Sequence, residues 1–301
     1  MGIYLIPEAA FAELNVLAVN GVVDIASAAV TNSPWYRAIQ TATELQVHVY
    51  QNLNRLPETL LLIARIVAKS PTIHTVNMVH NNLGAHGPAT ATALAASPTI
   101  HTVNMRRNNL GEHGPATATA LAALPTIHTV NMSYNNLGAN GPATATALAA
   151  SPAIHTVDMS RNELGAYGPA TAAALAASPT IHTINMSDNE LRANGPAAAA
   201  ALAASPTIHT VDMSENDLGD GPTTATALAA SHTIHTVNLR YNVILEHVND
   251  PATASVFVDH NQYVSDLIEL THLICIDVHP VCDELEDLIC SYLDVPIDYT
   301  L

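Results

Sequence analysis

One phrase of nine residues repeats through the middle of the chain and restricts its fold more than any other feature. Ser70-Pro71-Thr72-Ile73-His74-Thr75-Val76-Asn77-Met78 returns 27 positions later at Ser97-Pro98-Thr99-Ile100-His101-Thr102-Val103-Asn104-Met105. The phrase recurs from Leu124, Ser151, Ser178 and Ser205, and a last copy starts at Ser231 after a unit one residue short. Six full units and one partial unit therefore occupy residues 70–242 of the 301. A period of this length marks a small supersecondary element repeated along the chain.

Each unit reads the same way. Ile73, Val76, Met78 and Leu83 fall at positions 1, 4, 6 and 11 of the pattern L-x-x-L-x-L-x-x-N-x-L, with Asn81 at the N position. Val76-Asn77-Met78 alternates in, out, in, as a short strand does. Gly87-Pro88 then opens the alanine-rich run Ala89 to Ala96. Proline suits a helix start because its missing N–H would be unpaired there anyway. Ser97-Pro98 ends the helix and leads into the next strand.

This pattern resembles the leucine-rich repeat of the ribonuclease-inhibitor type. The unit length, the run Asn81-Asn82-Leu83-Gly84-Ala85-His86-Gly87 and the Ala-Leu-Ala ending carry the resemblance, over more than half the chain. It implies an α/β leucine-rich-repeat solenoid, a horseshoe with parallel strands on the concave face and helices on the convex face. It also implies that the repeated Asn points inward and bonds the backbone of its turn. Two departures stand out. Arg192 replaces the glycine found at Gly84, Gly111, Gly138, Gly165 and Gly219, which predicts either strain or a local difference if that site needs a positive φ. The sixth unit lacks one residue near Asp220, so its loop is shorter.

The units can be compared with each other. Residues identical in every unit serve the architecture. Residues that differ are free of it, and either drift or recognise something. His74, His101, His128, His155, His182, His209 and His235 share position 2. With strands about 4.8 Å apart they form an imidazole ladder. Without a carboxylate beside each ring, the ladder reads as a solvated stack rather than a metal stripe or pH switch. Variation concentrates at positions 7, 8 and 10. Position 8 runs His80, Arg107, Tyr134, Arg161, Asp188, Glu215, Tyr241, and Arg106 and Arg240 stand at position 7. Position 5, on the same face, holds Asn or Asp, among them Asn77, Asn104, Asp158 and Asp212. Arg and Tyr are favoured at interfaces, so these thirteen residues are the expected protein-binding set. The early units carry Arg106 and Arg107 and the later ones are acidic, which favours a protein partner with a basic patch and a heteromeric complex.

Composition bounds the function. Only 12% of residues are charged, yet the net charge is −17 with nine Lys and Arg, which excludes a nucleic-acid binder working through a basic surface. The apolar fraction of 49% excludes a disordered chain, and aromatics at 4% predict a core of small and aliphatic side chains. No run of about 18 apolar residues predicts a membrane span. There is no Gly-rich phosphate loop with Lys, no G-x-S-x-G elbow and no H-E-x-x-H, so neither an enzyme nor a cofactor is expected. Cys275, His279 and Cys282, with His272 and Cys290, match no common zinc spacing and read as buried free thiols, not a metal site.

The two ends differ. Residues 1–69 hold five acids against four bases and read as a helical N-terminal cap, broken near Thr31-Asn32-Ser33-Pro34. Within them, Leu56-Pro57-Glu58-Thr59-Leu60-Leu61-Leu62-Ile63 looks like the opening of an F-box, which gives an alternative function as an adaptor for ubiquitin ligation. Residues 243–301 hold twelve acids and no Lys or Arg, and read as an acidic helical C-terminal cap. Their block Asp283-Glu284-Leu285-Glu286-Asp287 resembles the acidic part of export signals in type IV-secreted bacterial effectors. Near-identical repeats poor in aromatics also resemble leucine-rich-repeat effectors of intracellular bacteria. These resemblances imply a cytoplasmic protein, exported into a host cell's cytosol. There it would bind and regulate or block a host protein or another effector, enzymes included.

Overall fold

A computed structural model describes residues 3–5, 33–46, 57–219 and 221–242. Each full unit becomes a strand and a helix, and the partial one contributes a strand. The strands are β3 (Thr75–Asn77), β4 (Thr102–Asn104), β5 (Thr129–Asn131), β6 (Thr156–Asp158), β7 (Thr183–Asn185), β8 (Thr210–Asp212) and β9 (Thr236–Asn238). Two more precede them, β1 (Ile3–Leu5) and β2 (Glu44–Gln46). All pair in parallel, in chain order, as one open nine-stranded sheet. Register follows the repeat: Thr75 faces Thr102, which faces Thr129. The shorter sixth unit keeps it, with Thr210 opposite Thr236.

The helices are α1 (Pro34–Thr41), α2 (Pro57–Val67), α3 (Gly87–Leu94), α4 (Gly114–Ala122), α5 (Gly141–Ala149), α6 (Gly168–Ala176), α7 (Gly195–Ala203) and α8 (Gly221–Ala229). Each of α2 to α7 packs on the next, forming a second layer over one face of the sheet. Parallel strands stacked in this way, each alternating with a helix, make a solenoid-like α/β array.

The stretch before residue 70 is more than helical. α1 and α2 are present, but β1 and β2 lie in the same sheet as the repeats. The steps from Ile3 to Glu44 and from Glu44 to Thr75 are longer than 27 residues and carry no copy of the phrase, so the repeat does not reveal them. The acidic cap expected over 243–301, with its cysteines and export-like block, lies outside the described residues.

The core is a stack of identical aliphatic layers. In the first unit Ile73, Val76, Met78, Leu83, Ala91 and Leu94 are buried, and Ile100, Val103, Met105, Leu110, Ala118 and Leu121 repeat them in the second. In each strand of the full units the middle residue is buried while its two neighbours are half-exposed, so the helices cover one face and leave the other open. At the start of the stack, Leu60, Leu62, Ile63, Ile66 and Val67 of α2 are buried in the same core.

Two positions explain the recurring glycines of the unit. At the helix start the reason is space: a Cβ on Gly87 would lie 2.5 Å from a Leu110 methyl and 2.7 Å from the Thr117 hydroxyl. Glycine there lets the next unit close up. Three residues earlier the reason is torsion. Gly84, Gly111, Gly138 and Gly165 have φ of 44° to 46°, and a Cβ there would meet no atom nearer than 3.8 Å. Arg192 adopts φ 50° at the same place and opens the same tight turn, so the fifth unit keeps the geometry and carries the strain.

A buried asparagine ladder ties unit to unit. The amide of Asn108 donates to the carbonyls of Met78 (2.8 Å) and Met105 (2.9 Å), and its oxygen accepts from the backbone N–H of Asn81 (3.1 Å). Asn135, Asn162, Asn189 and Asn216 repeat this arrangement. The inward-pointing role expected of this Asn is what the structure shows. A second tie comes from Thr99, whose hydroxyl donates to the Ile73 carbonyl of the preceding unit (2.8 Å), with the Ser70 carbonyl 3.2 Å away.

Candidate protein-binding ridge

Beyond each strand the chain turns sharply, and position 8 sits in that turn with a left-handed backbone. His80, Arg107, Tyr134, Arg161, Asp188, Glu215 and Tyr241 have φ between 51° and 62°. Each costs roughly 1–2 kcal/mol relative to an ordinary torsion. Hydrogen bonds to the next unit offset this, as in Arg107 N–H to Ser133 O and Tyr134 N–H to Ser160 O, both 3.0 Å. The consequence is directional. The same residue projects at the same place in every unit, half-exposed or exposed, whatever its type.

Stacking then joins these side chains into a ridge. Arg107 Nη1 donates to His80 Nε2 at 2.8 Å. The Arg107 guanidinium carbon lies 4.3 Å from the centre of the Tyr134 ring, that of Arg106 lies 4.5 Å and that of Arg161 4.9 Å. Arg161 continues the line, with Nε 3.0 Å from Asp188 and Nη2 3.4 Å from Glu215. Burial alone would raise the Tyr134 phenol, but hydrogen bonding from Arg107 and Arg106 and the charge of Arg161 outweigh it and hold the phenol below its ordinary value. The basic end of the ridge thus passes through one tyrosine into an acidic end.

The other residues expected in the binding set have a different setting. Asn77 and Asn104 accept from the backbone N–H two residues on, at Val79 (3.1 Å) and Arg106 (3.0 Å). Asp158 and Asp212 do the same for Ser160 and Ser214, and also accept from those serine hydroxyls. Their remaining oxygens accept from Asn131 and Asn238. Position 5 therefore closes a turn, and its restriction to Asn and Asp was the signal for that. Arg240 and Tyr241 are exposed at the end of the described array. The expected set omits a second charged row, where Arg192 meets Glu190 (2.9 Å) and Asp217 (4.0 Å), all exposed. It also omits Tyr167, exposed at the start of α6. Arg192 and Tyr167 differ from the matching residues of the other units.

The histidines stack as a ladder with ring centres 5.1 to 5.3 Å apart. His74, His182 and His209 place Nδ1 within 2.8 to 3.1 Å of a threonine carbonyl one unit on. Burial, then the charges of His128 and His74, hold the His101 imidazole below its ordinary value. Among the described residues no group of three or more His, Cys, Asp or Glu is placed to hold a metal ion, and no helix is long and apolar enough to cross a membrane. No protein-family model matches the chain, and the search of curated proteins finds no match.

Proposed function

We propose that the chain is a leucine-rich-repeat protein that binds a protein partner through the position-8 ridge and performs no chemistry of its own. The observation that carries this reading is the ridge itself. Architecture fixes its backbone, while its seven side chains vary, and the six from His80 to Glu215 are joined by contacts through Arg107, Tyr134 and Arg161. A preset ridge loses little conformational entropy on binding. Its acidic half, Asp188 and Glu215, fits a partner with a basic patch. The repeat type and the acidic tail support a cytosolic effector, exported by a bacterium, that regulates or blocks its partner. The F-box reading is less favoured, because Leu60, Leu62 and Ile63 of that motif are already buried in the chain's own core.

The test is co-purification with the tagged full chain, followed by titration calorimetry of the captured partner against Arg107→Glu, Asp188→Lys and Glu215→Lys. At least a tenfold loss of affinity is expected in one or more. Unchanged affinity in all three would remove the ridge as the binding site.

A further inference from the structure

Three of the nine basic residues of a strongly acidic chain meet over one ring, and two of them are unpaired by any carboxylate among the described residues. Arg161 is neutralised by Asp188 and Glu215. Arg106 and Arg107 form no such pair among the described residues, and their contacts are with the Tyr134 ring and, for Arg107, the His80 ring nitrogen. Adjacent residues of an extended chain point to opposite sides. Here the left-handed torsion of Arg107, φ 55°, brings it round so that both guanidinium groups lie over the same ring. Both are held by the Tyr134 ring before anything binds, and Arg107 also by the His80 nitrogen.

We propose that Arg106 and Arg107, held over Tyr134, form a binding site for a phosphate monoester carried by a side chain of the protein partner. Two guanidinium forks present more N–H donors than one carboxylate accepts, whereas a phosphate has three acceptor oxygens and a charge of about −1.5 to −2 at neutral pH. The site is open to water. A single carboxylate on an exposed arginine gains little, while a dianion meeting two oriented forks gains from both charge and geometry. This rests on the ridge being the recognition surface, and it names the group recognised at the basic end. The partner's basic patch would then meet the acidic end, so one partner carries both signs.

The test uses the full chain and a short synthetic peptide containing phosphoserine, with the same peptide bearing Glu as comparison. Arginine side-chain N–H resonances are followed by NMR. Saturable shifts confined to Arg106 and Arg107, at least tenfold weaker with the Glu peptide and lost in Arg106→Gln/Arg107→Gln, are the expected result. Equal response to both peptides, no saturation, or saturation unchanged in the double variant would overturn the assignment. Unchanged circular dichroism and Tm confirm that the variant is folded. If Asp188→Lys and Glu215→Lys weaken the captured partner while the phosphopeptide does not bind, the ridge stands and the phosphate site is refuted.

Discussion

Asn135 offers the sharpest test of what holds the stack together. Its side chain is fully buried. Its oxygen accepts from the backbone N–H of Asn108 (3.0 Å) and, more weakly, Leu110 (3.4 Å). Its amide donates to the carbonyls of Met105 (3.0 Å), Met132 (2.9 Å) and Ser133 (3.1 Å). Replacement by Ala does not orphan all of these groups. Met105 O still accepts from Asn108 Nδ2, and Met132 O from Asn162 Nδ2. The Asn108 N–H, however, loses its acceptor in a place water does not reach. One orphaned buried donor costs roughly 1–3 kcal/mol, and the small void adds on the order of 1 kcal/mol, so Asn135→Ala is expected to lose about 3 kcal/mol. Urea unfolding followed by far-UV circular dichroism measures this. Asn136→Ala is the control: that residue is exposed and, among the described residues, its amide reaches only Glu163 (3.0 Å), so the cost expected is that of Ala at its left-handed torsion, φ 53°, about 1 kcal/mol. If Asn135→Ala costs no more than Asn136→Ala, the ladder is not what couples the units.

Three further outcomes follow from single departures in the repeat. Ala153 stands where other units have the threonine that bonds back to the preceding unit; Ala153→Thr is expected to add about 1 kcal/mol, read as a higher urea midpoint. Arg192→Gly relieves a left-handed torsion but gives up two exposed ion pairs and makes the unfolded chain more flexible, so a net gain of about 0.5–1 kcal/mol is expected, larger in high salt where those pairs are screened. His101 is held below the ordinary imidazole value of 6.5, first by burial and then by His128 and His74, so the unfolded chain takes up the proton more readily. Its share of stability is full above pH 6.5 and is lost as pH falls below it. Between pH 6.5 and 5, His101→Gln should lose less stability than the wild type, with parallel curves above about pH 7.5.

Much of the fold was legible because the repeat removes the usual ambiguity of short elements. A three-residue strand such as Val76 and its neighbours carries almost no periodic signal alone. Seven copies, all but the last at a 27-residue step, fix its type, its neighbour and its register together. Where that support is missing, reading failed. β1 and β2 sit outside the phrase, in longer units with their own residues, so the first 69 positions read as helices only. The left-handed torsions were legible at Gly84, Gly111, Gly138 and Gly165, where glycine announces them. They were hidden at position 8, where Arg, Tyr, His and Glu occupy a conformation these side chains rarely adopt.

That hidden torsion is what separates architecture from recognition on the open face. Both position 5 and position 8 border the same turn. At position 5 the side chain itself closes the turn, so only Asn and Asp appear, and every copy is engaged with backbone. At position 8 the backbone does the work through the bond to the next unit, and the side chain is released from any structural duty. Seven adjacent positions free to vary, yet fixed in direction, are a surface on which residues can change without disturbing the stack. The cost is borne by the ladder beneath. If Asn135 and its equivalents loosen, the left-handed turns lose the neighbours that hold them, and the line of contacts from His80 through Tyr134 to Glu215 loses its alignment with them. Stability of the asparagine ladder and affinity at the ridge should therefore fall together in ladder variants, whereas charge reversals on the ridge should change affinity alone.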